Sequence, residues 1–340
     1  MSHTLPLLHI LPAARSGRFR AACLALLCAA CLLCAACSGE DDEPGSTPYP
    51  TRIVPLEIRI PAPGIAKRAE SPGDPGTGAD MPLPAHLYIY IAATRDNGQQ
   101  TIHLLAPIHD IGDKWQLTDS KALYRYAGTI GLPNISGATT ATAYIVLSRE
   151  KLNVATPTTP DELKNLKLVL AENPDVNIRD VYSAVTEIEG YGQKVERIEA
   201  VCYHVAAKVD MMWNLTDEFR NTYPDMAVDS IHLPLLPDEG YLFKLGQTLG
   251  PVVKGITYHF ATTPGSEIYG RTDTYTFQRD GDNLVYDITL YNRSTGQEYK
   301  LTTKGMVAPA ENPDSEYALY YRIDFSIRGM DLFTPITAAP

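Results

Sequence analysis

Cysteine is scarce where it would matter for a secreted fold. Of the six in 340 residues, Cys23, Cys28, Cys31, Cys34 and Cys37 fall in the first 37 positions, leaving Cys202 alone. Outside the first 36 residues a disulfide framework is thereby excluded, apart from a Cys37–Cys202 pairing that is not expected. Long apolar runs are also missing once residues 1–36 are passed. Basic charge is short: 29 Lys and Arg stand against 40 Asp and Glu. Removing Arg15, Arg18 and Arg20 with the first 36 residues leaves 26 basic residues and a net charge of −14. A surface this acidic argues against nucleic acid and against polybasic contact with a membrane.

Catalytic and cofactor motifs are missing as well. There is no HExxH, GxSxG, P-loop or Gly-rich dinucleotide turn. His103 and His109 stand six apart without a nearby cysteine, which makes a poor metal site. Asp280 and Asp282 in "DGDN" lack the later ligands of a calcium loop. Trp115 and Trp213, the two tryptophans, read as packing residues, and Cys202 reads as a small core hydrophobe. The expectation is no enzyme, no cofactor and no metal.

What is present begins with a secretory signal. Three arginines precede the apolar "AACLALLCAACLLCAA" (Ala21 to Ala36), which is too short to span a bilayer comfortably. "CAAC" followed by "SGEDDEPGSTP" resembles a bacterial lipoprotein signal, with Cys37 as the lipidated residue. Cys34 stands where such signals usually carry Leu. The acidic run Glu40–Glu43 resembles the surface-export signals of Bacteroidota lipoproteins. Acyl chains supply roughly 0.8 kcal/mol per buried CH₂, so several on one cysteine would hold the protein at the outer membrane.

Residues 37–50 read as a flexible acidic tether. "TRIVPLEIRI" (Thr51 to Ile60) then alternates, placing Val54, Leu56, Ile58 and Ile60 on one face. Residues 61–84, dense in Pro and Gly, predict a long exposed loop that carries Lys67-Arg68. Strands are expected at 86–93, 101–106, 123–130 and 142–147, and one helix at Pro160–Ala171, with Asp161 and Glu162 in its first turn. Glu196–Leu215 gives two strand-like stretches broken near Ala206-Ala207. Beyond Leu215 follow short strands at 230–233, 255–261, 273–279, 283–291, 298–303 and 317–328. Asp280-Gly281 predicts a hairpin between the third and fourth of these. Twenty Tyr against seven Phe suggest amphipathic strand faces and exposed aromatic rims. The fold class is mainly β: two β-sandwich domains of transthyretin-like, Greek-key type with sparse helix, at 51–215 and 216–340.

The order of these features resembles the fimbrillin family of Bacteroidota, the type V pilins. The pieces that carry the resemblance are the signal ending at Cys37, the first strand at Val54–Ile60 and the basic site at Arg68. "LYIYIAA", "TAYIVLS", "VCYHVAAKVDMMW" and the closing "YYRIDFSIRG" (Tyr320 to Gly329) continue it across nearly the whole mature chain. The resemblance implies a cut by an Arg-specific protease between Arg68 and Ala69 and loss of the first strand (52–61). The groove vacated by Val54, Leu56, Ile58 and Ile60 would then take the C-terminal strand of a neighbouring subunit. At roughly 1.5–3 kcal/mol for each buried side chain, that groove represents about 6–12 kcal/mol as an upper figure. Strand addition would also satisfy the backbone groups left unpaired. Arg52 and Arg59 are poorer cutting sites, because they lie within the strand.

After Gly329 only "MDLFTPITAAP" remains, interrupted by Pro335 and without alternation, a poor strand to donate. The expectation is a tip or accessory subunit of a cell-surface fimbria, with other fimbrial subunits and a host or bacterial surface ligand as partners. The alternative is a monomeric surface-anchored glycan- or ligand-binding lipoprotein that keeps its first strand, with Lys67-Arg68 no more than a solvated pair.

Overall fold

The computed structural model describes residues 51–62, 83–120, 123–243, 255–262, 265–277, 284–305 and 320–336. The architecture is mainly β, with two short α-helices among the described residues.

Two sheets enclose the first core. In one, β1 (Thr51–Pro61) lies between β5 (Leu123–Pro133) and β9 (Ile198–Val201), with β4 (Gln116–Leu117) outside β5. The other runs β10 (Tyr203–His204), β8 (Val181–Glu187), β6 (Ala138–Ser148), β2 (His86–Arg95) and β3 (Gln100–Leu104). Val54, Leu56, Ile58 and Ile60 meet Leu87, Ile89, Ile91 and Ile145 between them, and Cys202 is buried in the same cluster. Burial pushes the Cys202 thiol far up, so it stays protonated and unreactive.

The second core lies between two further sheets. One orders β15 (Tyr269–Thr276), β11 (Ala207–Leu215) and β18 (Tyr320–Ile327), with β11 parallel to β18. The other orders β14 (Gly255–Ala261), β12 (Met226–Pro237), β16 (Leu284–Asn292), β17 (Glu298–Gly305) and β19 (Thr334–Pro335). The chain passes from the first core to the second between Cys202 and Ala207, so β11 belongs to the second.

A third cluster covers the outer face of β2 and β6. Tyr88, Tyr90 and Tyr144 pack there with Leu163, Leu168, Leu242 and Phe277. With both faces covered, Leu87–Ala93 are buried without a break, which is why "LYIYIAA" does not alternate. These tyrosines are not an exposed rim. The Tyr88 hydroxyl accepts from Leu152 N at 2.8 Å and the Tyr90 hydroxyl donates to Ala155 O at 3.1 Å, so the rings bury with their polar ends satisfied.

Two local expectations are corrected. The helix predicted over Pro160–Ala171 is α1 (Pro160–Lys164) alone. Thr159 and Glu162 form a capping box at its start, and the Asn165 side chain bonds Asp161 O at its end. The chain then straightens into β7 (Lys167–Val169), which pairs with β13 (Glu239–Tyr241). Gly240 lies opposite Leu168, and Phe277 fills its missing side chain: a Cβ there would stand 2.1 Å from the ring. Nor do β15 and β16 form a hairpin with each other. β15 pairs with β11, and β16 pairs with β12 and β17 in the opposite sheet. Asp280-Gly281 lies outside the described residues. The second helix, α2 (Asp217–Thr222), is capped by Thr216.

Candidate functional site: the seat of the first strand

Strict alternation gives β1 one apolar face. Val54, Leu56, Ile58 and Ile60 are 1%, 2%, 0% and 1% exposed. Against antiparallel β5 they stand opposite Ile130, Gly128, Tyr126 and Tyr124. On the other side β9 runs parallel, bringing Ile198 to Leu56 and Ala200 to Ile58. The pairing is extended by Cys202 N, which donates to Arg59 O at 2.8 Å. β1 is therefore an interior strand, hydrogen-bonded on both sides. Pro55, with no N–H to donate, falls one residue before the first that β9 pairs.

Opposite Leu56 the seat is shaped by an absence. Gly128 has no side chain, and the Tyr126 ring folds across the space: a Cβ at 128 would stand 2.5 Å from the Tyr126 hydroxyl. Trp115 packs on Tyr126 with ring centroids 5.7 Å apart and donates its indole N–H to Pro84 O at 2.8 Å. Trp115 and Trp213 are both buried, the latter bonded to Ser266 O.

The outward face of β1 is polar. Glu57 binds both Arg59 and Arg125, the latter at 2.9 Å. Burial works against its carboxylate, but hydrogen bonds from the two arginines outweigh that and hold its pKa below the ordinary value. At the start of the strand, the Arg52 guanidinium lies 5.6 Å over the Tyr191 ring and donates to Gln193 O at 3.3 Å. Tyr191 is itself tied by its hydroxyl to Pro133 O, at the end of β5. Beside this clamp opens a polar cleft of about 510 Å³, lined by Thr139, Thr142, Glu187, Glu189, Tyr191 and Gln193.

The structure brings Val54, Leu56, Ile58 and Ile60 together in one buried row. Cys37, Arg68 and Ala69 lie outside the described residues. The chain leaves β1 at Ala62 and is next described at Leu83, and Arg68 falls in the interval. Sequence reasoning did not find β9 as the parallel neighbour, nor the Arg52 clamp. Both join positions about 140 residues apart by backbone or carbonyl contacts, which leave no pattern in the residue types.

No family model and no curated sequence matches the chain. Among solved structures, one from Parabacteroides distasonis, provisionally described as a cell adhesion protein, aligns with a TM-score of 0.49 at 14% identity, covering 84% of this chain and 91% of its own. Another, from Bacteroides eggerthii and described in the same way, aligns at 0.47 and 16% identity over 83% of this chain and 88% of its own. The fimbrial anchor protein Mfa2 of Porphyromonas gingivalis aligns at 0.42 and 12% identity over 84% of this chain and 95% of its own. These three are described as adhesion or fimbrial proteins, and a further structure, from Bacteroides thetaiotaomicron, is provisionally described as polysaccharide-binding, at a TM-score of 0.39 and 12% identity over 80% of this chain and 90% of its own.

Proposed function

We propose that the chain is a non-enzymatic, cell-surface fimbrial or adhesive subunit whose β1 is a replaceable strand. In this reading the protein is exported as a lipoprotein on Cys37, held at the outer membrane, and cut between Arg68 and Ala69. β1 then gives way to a strand from a neighbouring subunit. What supports it is the seat of β1: an interior strand, flanked by β5 and β9, contributes a row of four buried side chains. The segment leading away from it carries the dibasic Lys67-Arg68. Removing β1 leaves a slot with an apolar floor and an unpaired backbone edge on each side, which an added strand satisfies at once.

The way the segment after β18 is used supports an accessory or tip position in this reading. β19 pairs with the edge of β17, Ile336 N donates to Glu298 O at 2.9 Å, and Gln297 Nε2 donates to Ile336 O at the same distance. That segment is paired within its own chain. The alternative, a monomeric ligand- or glycan-binding lipoprotein that keeps β1, draws on the polar cleft beside Tyr191.

Native trypsin digestion separates the two. Replaceable β1 predicts a new N-terminus at Ala69 and, after β1 is displaced, uptake of a C-terminal strand peptide from a partner pilin. Resistance at Arg68, or a cut protein that takes up no such peptide, overturns the proposal. Radiolabelled palmitate incorporation, lost in Cys37→Ala, tests the anchor separately.

A further inference from the structure

His86 opens β2, and His109 lies in the turn that follows β3. Their Nδ1 atoms stand 2.9 Å apart, with ring centroids at 4.9 Å and planes inclined at 75°. A hydrogen bond between one protonated and one bare Nδ1 accounts for the distance alone. The setting accounts for more.

The two histidines are held in place from both sides. Leu87 and Ile108 exchange backbone hydrogen bonds at 2.9 and 3.0 Å, and Ile111 N donates to Ala85 O at 3.1 Å. Ile111 is fully buried, so the turn carrying His109 is anchored in the first core. Asp110, between these anchors, takes a φ of 56°, the left-handed conformation that lets the turn close around His109. The pair is thus preorganised, yet His109 remains exposed to solvent.

The bite distance also selects a geometry. With metal–nitrogen bonds of about 2.0–2.1 Å, nitrogens this far apart subtend about 90° at a shared ion. That is the angle between neighbouring ligands in tetragonal and octahedral sites, which suit Cu²⁺ and Ni²⁺. A tetrahedral ion would need roughly 3.3–3.4 Å between them.

We propose that His86 and His109 form a two-imidazole surface chelate for a divalent late transition metal, Cu²⁺ or Ni²⁺. Among the described residues no group of three or more His, Cys, Asp or Glu gathers to hold a metal, so water completes the coordination. The ion would cross-link the start of β2 to the turn at 108–111 and raise stability by mass action.

The test uses the full chain carrying His3→Ala throughout, so that a histidine third from the amino terminus does not compete. Cu²⁺ is titrated at neutral pH and followed by electron paramagnetic resonance and by competition with a chelator. One equivalent in a tetragonal signal with imidazole nitrogen couplings is expected. H86A and H109A should each weaken binding by at least roughly 10–100-fold, the range that loss of a mere supporting contact costs. H232A and H259A, at the other histidine pair, should leave it unchanged. Circular dichroism confirms folding, and H109A, at an exposed position, decides the matter should H86A fold poorly. Equal affinity in the parent and the H86A/H109A double variant, or a loss that follows His232 and His259, overturns the proposal.

Discussion

Consider the chain cleaved after Arg68 but not denatured. The fragment carrying β1 is then free to leave, and the seat sets how firmly it stays. Four fully buried side chains contribute about 6–12 kcal/mol, somewhat less against a compact unfolded chain, before the backbone bonds to β5 and β9 are counted. Whole domains are stable by about 5–15 kcal/mol. The cut fragment is therefore expected to remain bound until denaturant or a competing strand displaces it.

Ile58 is the residue on which to test this. It is wholly buried at the centre of the row, between Tyr126 on β5 and Ala200 on β9. Truncating this fully buried side chain leaves a cavity, so Ile58→Ala should cost about 2–5 kcal/mol. At about 1.4 kcal/mol per tenfold, retention of the fragment falls by roughly 30-fold to several thousandfold. Arg59→Ala, one residue on and facing outward, removes a partly exposed ion pair with Glu57 and should cost at most about 1 kcal/mol. The assay is gel filtration of trypsin-cut protein in graded urea, with mass spectrometry reporting how much fragment stays with the body. Release of the fragment without denaturant and with an unchanged melting temperature would refute the reasoning. So would equal retention in Ile58→Ala and Arg59→Ala.

Three further outcomes follow from particular contacts. Gly240→Ala drives a methyl group into the buried Phe277 ring and should cost about 1–3 kcal/mol, read as a lower melting temperature by circular dichroism. Trp115→Phe keeps most of the packing on Tyr126 but leaves the Pro84 carbonyl without its donor, a loss of about 1–3 kcal/mol measurable by urea unfolding. Asp287 is an acid-sensitive group: burial alone would raise its pKa, yet hydrogen bonds from Lys300, Thr302 and His232 hold it below the ordinary value. Its stabilisation is therefore present at neutral pH and lost as pH falls through that lowered pKa. Calorimetry should find Asp287→Asn less stable than the parent at pH 7, with the two melting temperatures converging on acidification; a constant difference down to about pH 2 would count against the assignment.

Features governed by neighbours along the chain were legible in the sequence. The alternation of Val54, Leu56, Ile58 and Ile60 fixed both the strand and its buried face, because a period of two depends on nothing distant. The start of α1 was equally local, since Thr159 and Glu162 cap each other three residues apart. The end of α1 was not. Leu163, Leu166 and Leu168 suit a helix face, yet Leu168 is drawn into a strand by Gly240, over seventy residues away. The pairing expected on either side of Asp280-Gly281 was likewise not local: β15 and β16 take separate, distant partners. His86 and His109 were invisible as a pair, because only the fold brings them together.

β1 shows why that division matters for function. Its alternation is equally compatible with an edge strand, which any extended peptide could cover from one side. Placed between β5 and β9, it can be replaced only by a segment that hydrogen-bonds on both edges, antiparallel to one and parallel to the other, with apolar side chains at every second position. The segment after β18 does not offer that pattern, because Leu332, Phe333 and Ile336 do not alternate. If β1 is replaced as proposed, a segment that repeats the pattern of Val54–Ile60 would fit the seat. That pattern, in the strand direction set by β5 and β9, is what to look for in a partner.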